Sequence, residues 1–143
     1  MSQALASTAS ELQEILSETK FTRGYGFQLH SIGDGECTLH VPFREAFERP
    51  GGVVSGQVYM AAADVAMWLA IKTKRGKDDP SVTVAMQTTF IRSARREDLR
   101  CTARHLKLGR RLIHGVAECV TLEGKLLSHH TSTYMRPDAA GAE

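Results

Sequence analysis

The stretch Arg49-Pro50-Gly51-Gly52-Val53-Val54-Ser55-Gly56-Gln57-Val58-Tyr59-Met60-Ala61-Ala62-Ala63-Asp64-Val65-Ala66-Met67-Trp68 decides how the chain is read. Two glycines permit a tight turn, Ser55 stands as a helix N-cap, and Val58 to Ile71 is a 14-residue apolar run broken by one acid, Asp64. A membrane span needs about 20 such residues, so this is a core helix over about Ser55 to Lys72. It is apolar on nearly every side, as a helix surrounded by protein must be.

Working outward, Arg44 to Gly52 has no period and reads as a loop, while Lys72 to Asp79 is the charged exit of the helix. Upstream, Thr8-Ala9-Ser10-Glu11 and Ser10-Glu11-Leu12-Gln13 both have capping-box form, and Leu12, Ile15 and Leu16 supply the apolar stripe of a short helix ending near Thr19. Phe27 to Phe43 reads as a hairpin turning at Asp34-Gly35. Downstream lie four strands, on Val82–Phe90, Leu99–Ala103, Leu112–Leu122 and Leu126–Met135, with turns at Gly109-Arg110 and Glu123-Gly124. This order predicts an α+β domain, a curved antiparallel sheet of about six strands around one long helix. The helix face left over calls for a second subunit.

The 143 residues, 42% hydrophobic and 24% charged, suit one domain over 1–143, with 1–8 and 137–143 frayed. A chain of this size buries about 68–70% of its unfolded surface and needs no disulfide or metal to fold. Lys and Arg number 18 against 16 Asp and Glu, a net +2 too small to mark a nucleic-acid binder. Cys37, Cys101 and Cys119 form no C-x-x-C pair and sit in apolar strands, as thiols of a reducing compartment do. With no secretory signal or membrane span in view, we expect a cytoplasmic protein.

Gly51 to Val58 approaches the phosphate-loop pattern but has Gln57 in place of the lysine and Val58 in place of the hydroxyl, which argues against nucleotide hydrolysis. What remains is a helix start whose free amides favour an anion or a developing oxyanion, or a plain helix entry capped by Ser55. Asp64, among alanines and a tryptophan, is either a structural acid held by donors or a general base or nucleophile; burial raises its pKa unless donors compensate. Eight residues of helix separate Gly56 from Asp64 by about 12 Å, at roughly 1.5 Å per residue. If both act on one substrate, they come from different copies of the chain.

Arg92, Arg95 and Arg96 form one basic cluster and Lys107, Arg110 and Arg111 another. Each is a solvated rim or a set of phosphate ligands. Tyr59, Met60, Met67, Trp68, Met86 and Phe90 are core residues or the lining of an apolar pocket. Ser55 lacks the G-x-S-x-G elbow of serine hydrolases. His129 and His130 point to opposite faces of a strand, one of them or His114 reads as a core or interface histidine, and no metal-ligand spacing exists. Asp78-Asp79 before Pro80 is a turn signal.

The segment from Arg49 to Trp68 resembles the helix-start motif of the hot-dog fold thioesterases, in their phenylacetic-acid-pathway-like branch. The resemblance extends from the Asp34-Gly35 hairpin to Tyr134; Phe90-Ile91-Arg92-Ser93-Ala94 and Lys107-Leu108-Gly109-Arg110-Arg111 are similar to strand-end patterns of that family. It implies an acyl-coenzyme A substrate, no cofactor, homodimers that stack into tetramers, an Asp64 carboxylate acting as base or nucleophile, and a Gly56 amide polarising the thioester carbonyl. The family's frequent His-Gly-Gly is here Ser55-Gly56-Gln57, and its upstream Asn is matched by Arg49. Ser55 and Gln57 stand in as hydrogen-bond partners. The expected substrate contacts are Arg49, Arg92, Arg95, Arg96, Lys107, Arg110, Arg111, Trp68 and Phe90. A non-catalytic acyl-ligand binding module on the same fold is the alternative, and a hydratase is disfavoured by the absence of a D-x-N-P-x-H pattern.

Overall fold

Alternation on the long strands and a nearly all-apolar helix have one joint solution, a sheet whose inner face closes around the helix. The computed structural model describes residues 4–137 and takes this form. Its elements are α1 (Ala9–Glu18), α2 (Lys20–Arg23), β1 (Gln28–Gly33), β2 (Glu36–Val41), β3 (Glu48–Arg49), β4 (Val53–Val54), α3 (Gly56–Arg75), β5 (Val82–Phe90), β6 (Leu99–Leu108), β7 (Leu112–Thr121) and β8 (Leu126–Met135). Six strands make one antiparallel sheet in the order β1-β2-β6-β7-β8-β5.

The core lies where Cys37, Leu39, Leu99, Cys101, Ala103, Ile113, Ala117, Cys119 and Leu127 of the sheet meet Ala62, Ala63, Ala66, Met67, Leu69 and Ala70 of α3. Small side chains on the helix allow this close approach. Gly115 of β7 is part of the same fit, since a Cβ there would fall 2.1 Å from the Met67 methyl carbon.

The two sheet edges differ. Along β1 lies α1, whose Gln13 side-chain oxygen accepts from the Leu29 amide at 2.9 Å. At the other edge, β5 is bulged between Thr83 and Ala85, and Val82, Val84 and Phe90 are at least half exposed. Its sequence alternates as expected, yet burial does not follow, because nothing among the described residues covers that edge.

Several boundaries differ from the sequence reading. Helix α3 continues to Arg75, three residues beyond the expected end, because Lys72 is buried and its ammonium donates to the carbonyls of Lys77 and Asp79 at 2.7 and 3.0 Å. The expected loop at 44–52 contains a 3-10 turn at Glu45–Phe47 and the β3–β4 pair. Of the two capping boxes, the one on Thr8 and Glu11 caps α1, and a short α2 follows it. Residues 1–3 and 138–143, both within the segments expected to fray, lie outside the described residues. Within the segment 1–8, Ala6 and Ser7 bond to the carbonyls of Thr73 and Lys72, and Thr8 is the cap.

Candidate active site

One stripe of α3 escapes burial. Gln57, Met60, Ala61, Asp64 and Trp68 follow helical spacing and remain at least partly accessible, while the residues between them are buried. The stripe runs beside the uncovered β5 edge, with a cleft at each end.

The first cleft, about 730 Å³, opens at the start of α3 and is lined by Arg49, Gly56, Gln57, Tyr59, Met60, Phe90, Ile91 and Arg92 among others. Ser55 caps the helix: its hydroxyl accepts from the Gln57 amide at 3.3 Å, and its carbonyl accepts from Val58 at 3.0 Å. The Gln57 backbone amide is thus engaged by the cap, while the residue itself lines the cleft. The Gly56 amide, at the first helical position, precedes the helix's own hydrogen bonding. Glycine is needed for space, since a Cβ at 56 would lie 2.6 Å from the Phe90 ring. Tyr59 fixes the wall opposite: its hydroxyl accepts from the Ala94 amide at 2.8 Å, and its ring lies 6.3 Å from that of Phe90.

The second cleft, about 340 Å³, contains Asp64 together with Phe21, Val65, Trp68, Ser81, Val82, Thr83 and Tyr134. Asp64 is half-buried rather than enclosed among the alanines. Thr83 donates to its Oδ1 at 2.7 Å, and the Tyr134 hydroxyl lies 2.5 Å from the same oxygen and 2.7 Å from the Asp64 carbonyl. Burial first, and the neighbouring carboxylate second, push the Tyr134 phenol well above its usual range, so it stays a donor. No described residue bonds Oδ2. Thr83 and Tyr134 were missed from sequence, and no local motif marks them: they reach Asp64 only because β5 and β8 pair beside α3.

The remaining candidates separate. Trp68 lines the second cleft and is backed by the Lys72 ammonium, 4.9 Å from its ring centre. Met67 is fully buried, Met86 is half-buried against the core, and neither lines either cleft. Arg92 opens into the first cleft, but Arg95 donates to the Gly51 carbonyl at 2.9 Å and Arg96 is paired with Glu48 at 2.8 Å. Lys107, Arg110 and Arg111 are exposed at the β6–β7 turn, which the Arg75 guanidinium joins to the far end of α3. Within one chain the two basic clusters thus lie at opposite ends of a 20-residue helix.

Outside the clefts, His130 is fully buried between the hydroxyls of Thr88 and Ser128, and His129 pairs with Glu118 at 2.8 Å. Of the three histidines weighed for the core, His130 is the buried one, and His114 is exposed near Thr133. The three cysteines are unpaired and buried, and burial pushes the Cys37 thiol up to about 12. No group of three His, Cys, Asp or Glu among the described residues could hold a metal, and none of the described helices is long and apolar enough to cross a membrane.

Residues 51–128, more than half of the chain, match the family model described as the thioesterase superfamily. The chain belongs to the thioesterase superfamily. Thioester hydrolysis is thus its reaction class, and its architecture is the hot-dog fold, of the phenylacetic-acid-pathway-like type. Thioesterase superfamily member 2 of zebra fish is 25% identical with a TM-score of 0.83, covering 91% of this chain and 99% of that one. The conserved protein PA5202 of Pseudomonas aeruginosa is 28% identical with a TM-score of 0.81, over 91% of this chain and 100% of that one. A mutant of the phenylacetic acid degradation protein PaaI of Thermus thermophilus is 27% identical with a TM-score of 0.74, over 82% and 98%.

Proposed function

We propose that the protein is a cytoplasmic acyl-coenzyme A thioesterase whose site joins the Gly56 helix start of one subunit to Asp64 of a second. The observation that carries this reading is the division of the chemistry between two clefts on one accessible helix stripe, both beside an uncovered strand edge.

Antiparallel pairing of two β5 strands about an axis near Met86 sets Val82 of one copy opposite Phe90 of the other, since each lies four residues from the axis. Val82 lines the Asp64 cleft and Phe90 lines the helix-start cleft. One pairing thus completes two sites. It also supports joint use of the two basic clusters. Leu112, Met135 and Val82 form one row across the sheet, so the Arg110–Arg111 turn lies about 10 Å from the seam, at the end facing the partner's helix start. Arg49 and Arg92 of one copy and Lys107, Arg110 and Arg111 of the other supply cations for the nucleotide phosphates. Arg95 and Arg96 are tied to their own subunit through Gly51 and Glu48.

In the reaction, the thioester carbonyl oxygen faces the Gly56 amide and the positive end of α3. Asp64, its Oδ1 held by Thr83 and Tyr134, takes a proton from water through Oδ2 while the water oxygen bonds to the carbonyl carbon. The tetrahedral oxyanion then collapses, the carbon–sulfur bond breaks, and the proton on Asp64 passes to the departing thiolate. The free acid and coenzyme A are released.

Thiol release from a panel of aromatic and aliphatic acyl-coenzyme A thioesters tests this directly. Turnover is expected for at least one member, and Asp64→Asn lowers its kcat about a thousandfold, within the range of a lost general base. Calorimetric binding without thiol release would overturn the catalytic reading in favour of a binding module.

A further inference from the structure

We propose that Cys101 of β6 and Cys119 of β7 close a reversible cross-strand disulfide on exposure to hydrogen peroxide, with Cys119 as the sulfur oxidised first. The pair lies in the core behind the helix-start cleft and has no part in the reaction proposed at Asp64.

Cys101 and Cys119 face each other directly across the β6–β7 ladder, and both are fully buried on the inner side of the sheet. Directly opposite residues of an antiparallel pair have Cα atoms about 4.5 or 5.5 Å apart, and a disulfide spans about 4.4–6.8 Å, so the bridge closes without moving either strand. Cys37 is the thiol left over. It stands opposite Ala103, two residues along β6 from Cys101, and such diagonal neighbours lie about 7–8 Å apart, beyond that reach. From Cys119 a row of polar side chains continues across the sheet. Ser128 is opposite Cys119 on β8, its hydroxyl 2.8 Å from Nε2 of the buried His130, and His130 Nδ1 lies 2.8 Å from the Thr88 hydroxyl on β5.

The row supplies what thiol oxidation needs. A hydrogen bond from the Cys101 thiol holds Cys119 below the usual thiol range, against the effect of burial, and His130 and Ser128 lower it further; the same bond raises Cys101. The Cys119 sulfur attacks one peroxide oxygen as its proton passes to His130, the O–O bond breaks, and the departing hydroxide takes that proton to become water. Cys101 then attacks the sulfur of the Cys119 sulfenic acid, and its own proton leaves with the displaced hydroxide as water. Two thiols and one peroxide give one disulfide and two waters. Access decides the oxidant. Cys119 Sγ lies 3.7 Å from the Tyr59 carbonyl, and Tyr59 lines the larger cleft, so the sulfur sits one residue behind the cleft wall. Small uncharged peroxide passes when that wall opens locally, and bulky, charged glutathione disulfide does not.

The test treats the folded wild-type protein with hydrogen peroxide, alkylates the remaining thiols in denaturant, and maps tryptic peptides by mass spectrometry. Residues 101–104 and 112–125 are expected as one linked species that dithiothreitol separates, with Cys37 alkylated in 24–44. Glutathione disulfide over the same period leaves all three thiols free. In Cys101→Ala, which lacks the second thiol, the Cys119 sulfenic acid accumulates and is trapped by dimedone. His130→Gln forms the same link about a hundredfold more slowly, having lost the group that takes the proton. Three free thiols after peroxide, or Cys37 within the linked species, would overturn the pair. Oxidation by glutathione disulfide as fast as by peroxide would overturn the buried route, and a wild-type rate in His130→Gln would overturn the role of the imidazole.

Discussion

Asp64 shows what one residue type can and cannot disclose. Its position in an apolar run marks it as unusual, but the partners that determine its behaviour are distant in sequence. Thr83 and Tyr134 both bond Oδ1, which fixes the carboxylate and leaves Oδ2 for water. Thr83→Val keeps the shape and removes the donor, and we expect kcat to fall about tenfold with KM within about twofold, read by steady-state kinetics. Tyr134 adds a pH dependence. Its folded-state pKa is raised, chiefly by burial, so the folded protein holds the phenolic proton more tightly than the unfolded chain does. The stability linked to that proton is fully present below the unfolded tyrosine pKa of about 10 and is lost as pH rises above it. Denaturant midpoints measured from pH 8 upward should fall above about pH 10, and Tyr134→Phe should flatten that fall. An unchanged slope in the variant would assign the loss to other groups.

At the scale of elements, the helices and the sheet were legible because their patterns are local. The Val58–Ile71 run, the Thr8–Glu11 box and the alternating strands each carry their own signal, and all formed near the expected places. What sequence could not show was environment. Strand β5 alternates like an interior strand, but alternation reports a pleat and not what covers it. Lys72 read as part of a charged exit, yet it is buried and closes the helix end through two carbonyls outside α3. The N-terminal segment read as loose but is tied to the last turns of α3 by Ala6 and Ser7. Removing the α1 cap tests that tie. Thr8→Ala should lower unfolding free energy by about 1 kcal/mol, measured by urea denaturation, as loss of a capping side chain does. A change near zero would mean that the backbone bonds to α3 hold α1 without it.

For the whole molecule, the candidate site was legible in part: Gly56 and Asp64 were singled out, and their helical separation calls for two chains if both act on one substrate. The two basic clusters, read from sequence as candidate phosphate ligands, lie at opposite ends of α3 in one chain, so joint use of them calls for a second subunit. The proposed seam is the exposed β5 edge. Val84→Asp, on a half-exposed edge residue, is expected to shift the protein to monomers in sedimentation analysis and to abolish thiol release together with the dimer.

The central claim is that each site draws on two subunits, and subunit complementation tests it most directly. Asp64→Asn removes the base. Gly56→Pro removes the amide donor at the first helical position, after an extended Ser55, and its Cβ must displace the exposed Phe90 ring, so it disables the helix-start half of the site as a whole. Each variant alone is expected to be inactive. Mixed in equal amounts and exchanged, they form heterodimers with one intact site and one doubly defective site, so roughly a quarter of wild-type thiol release should return under random pairing. Confirmed heterodimers with no recovered activity would place both groups of a working site in one chain and contradict the account.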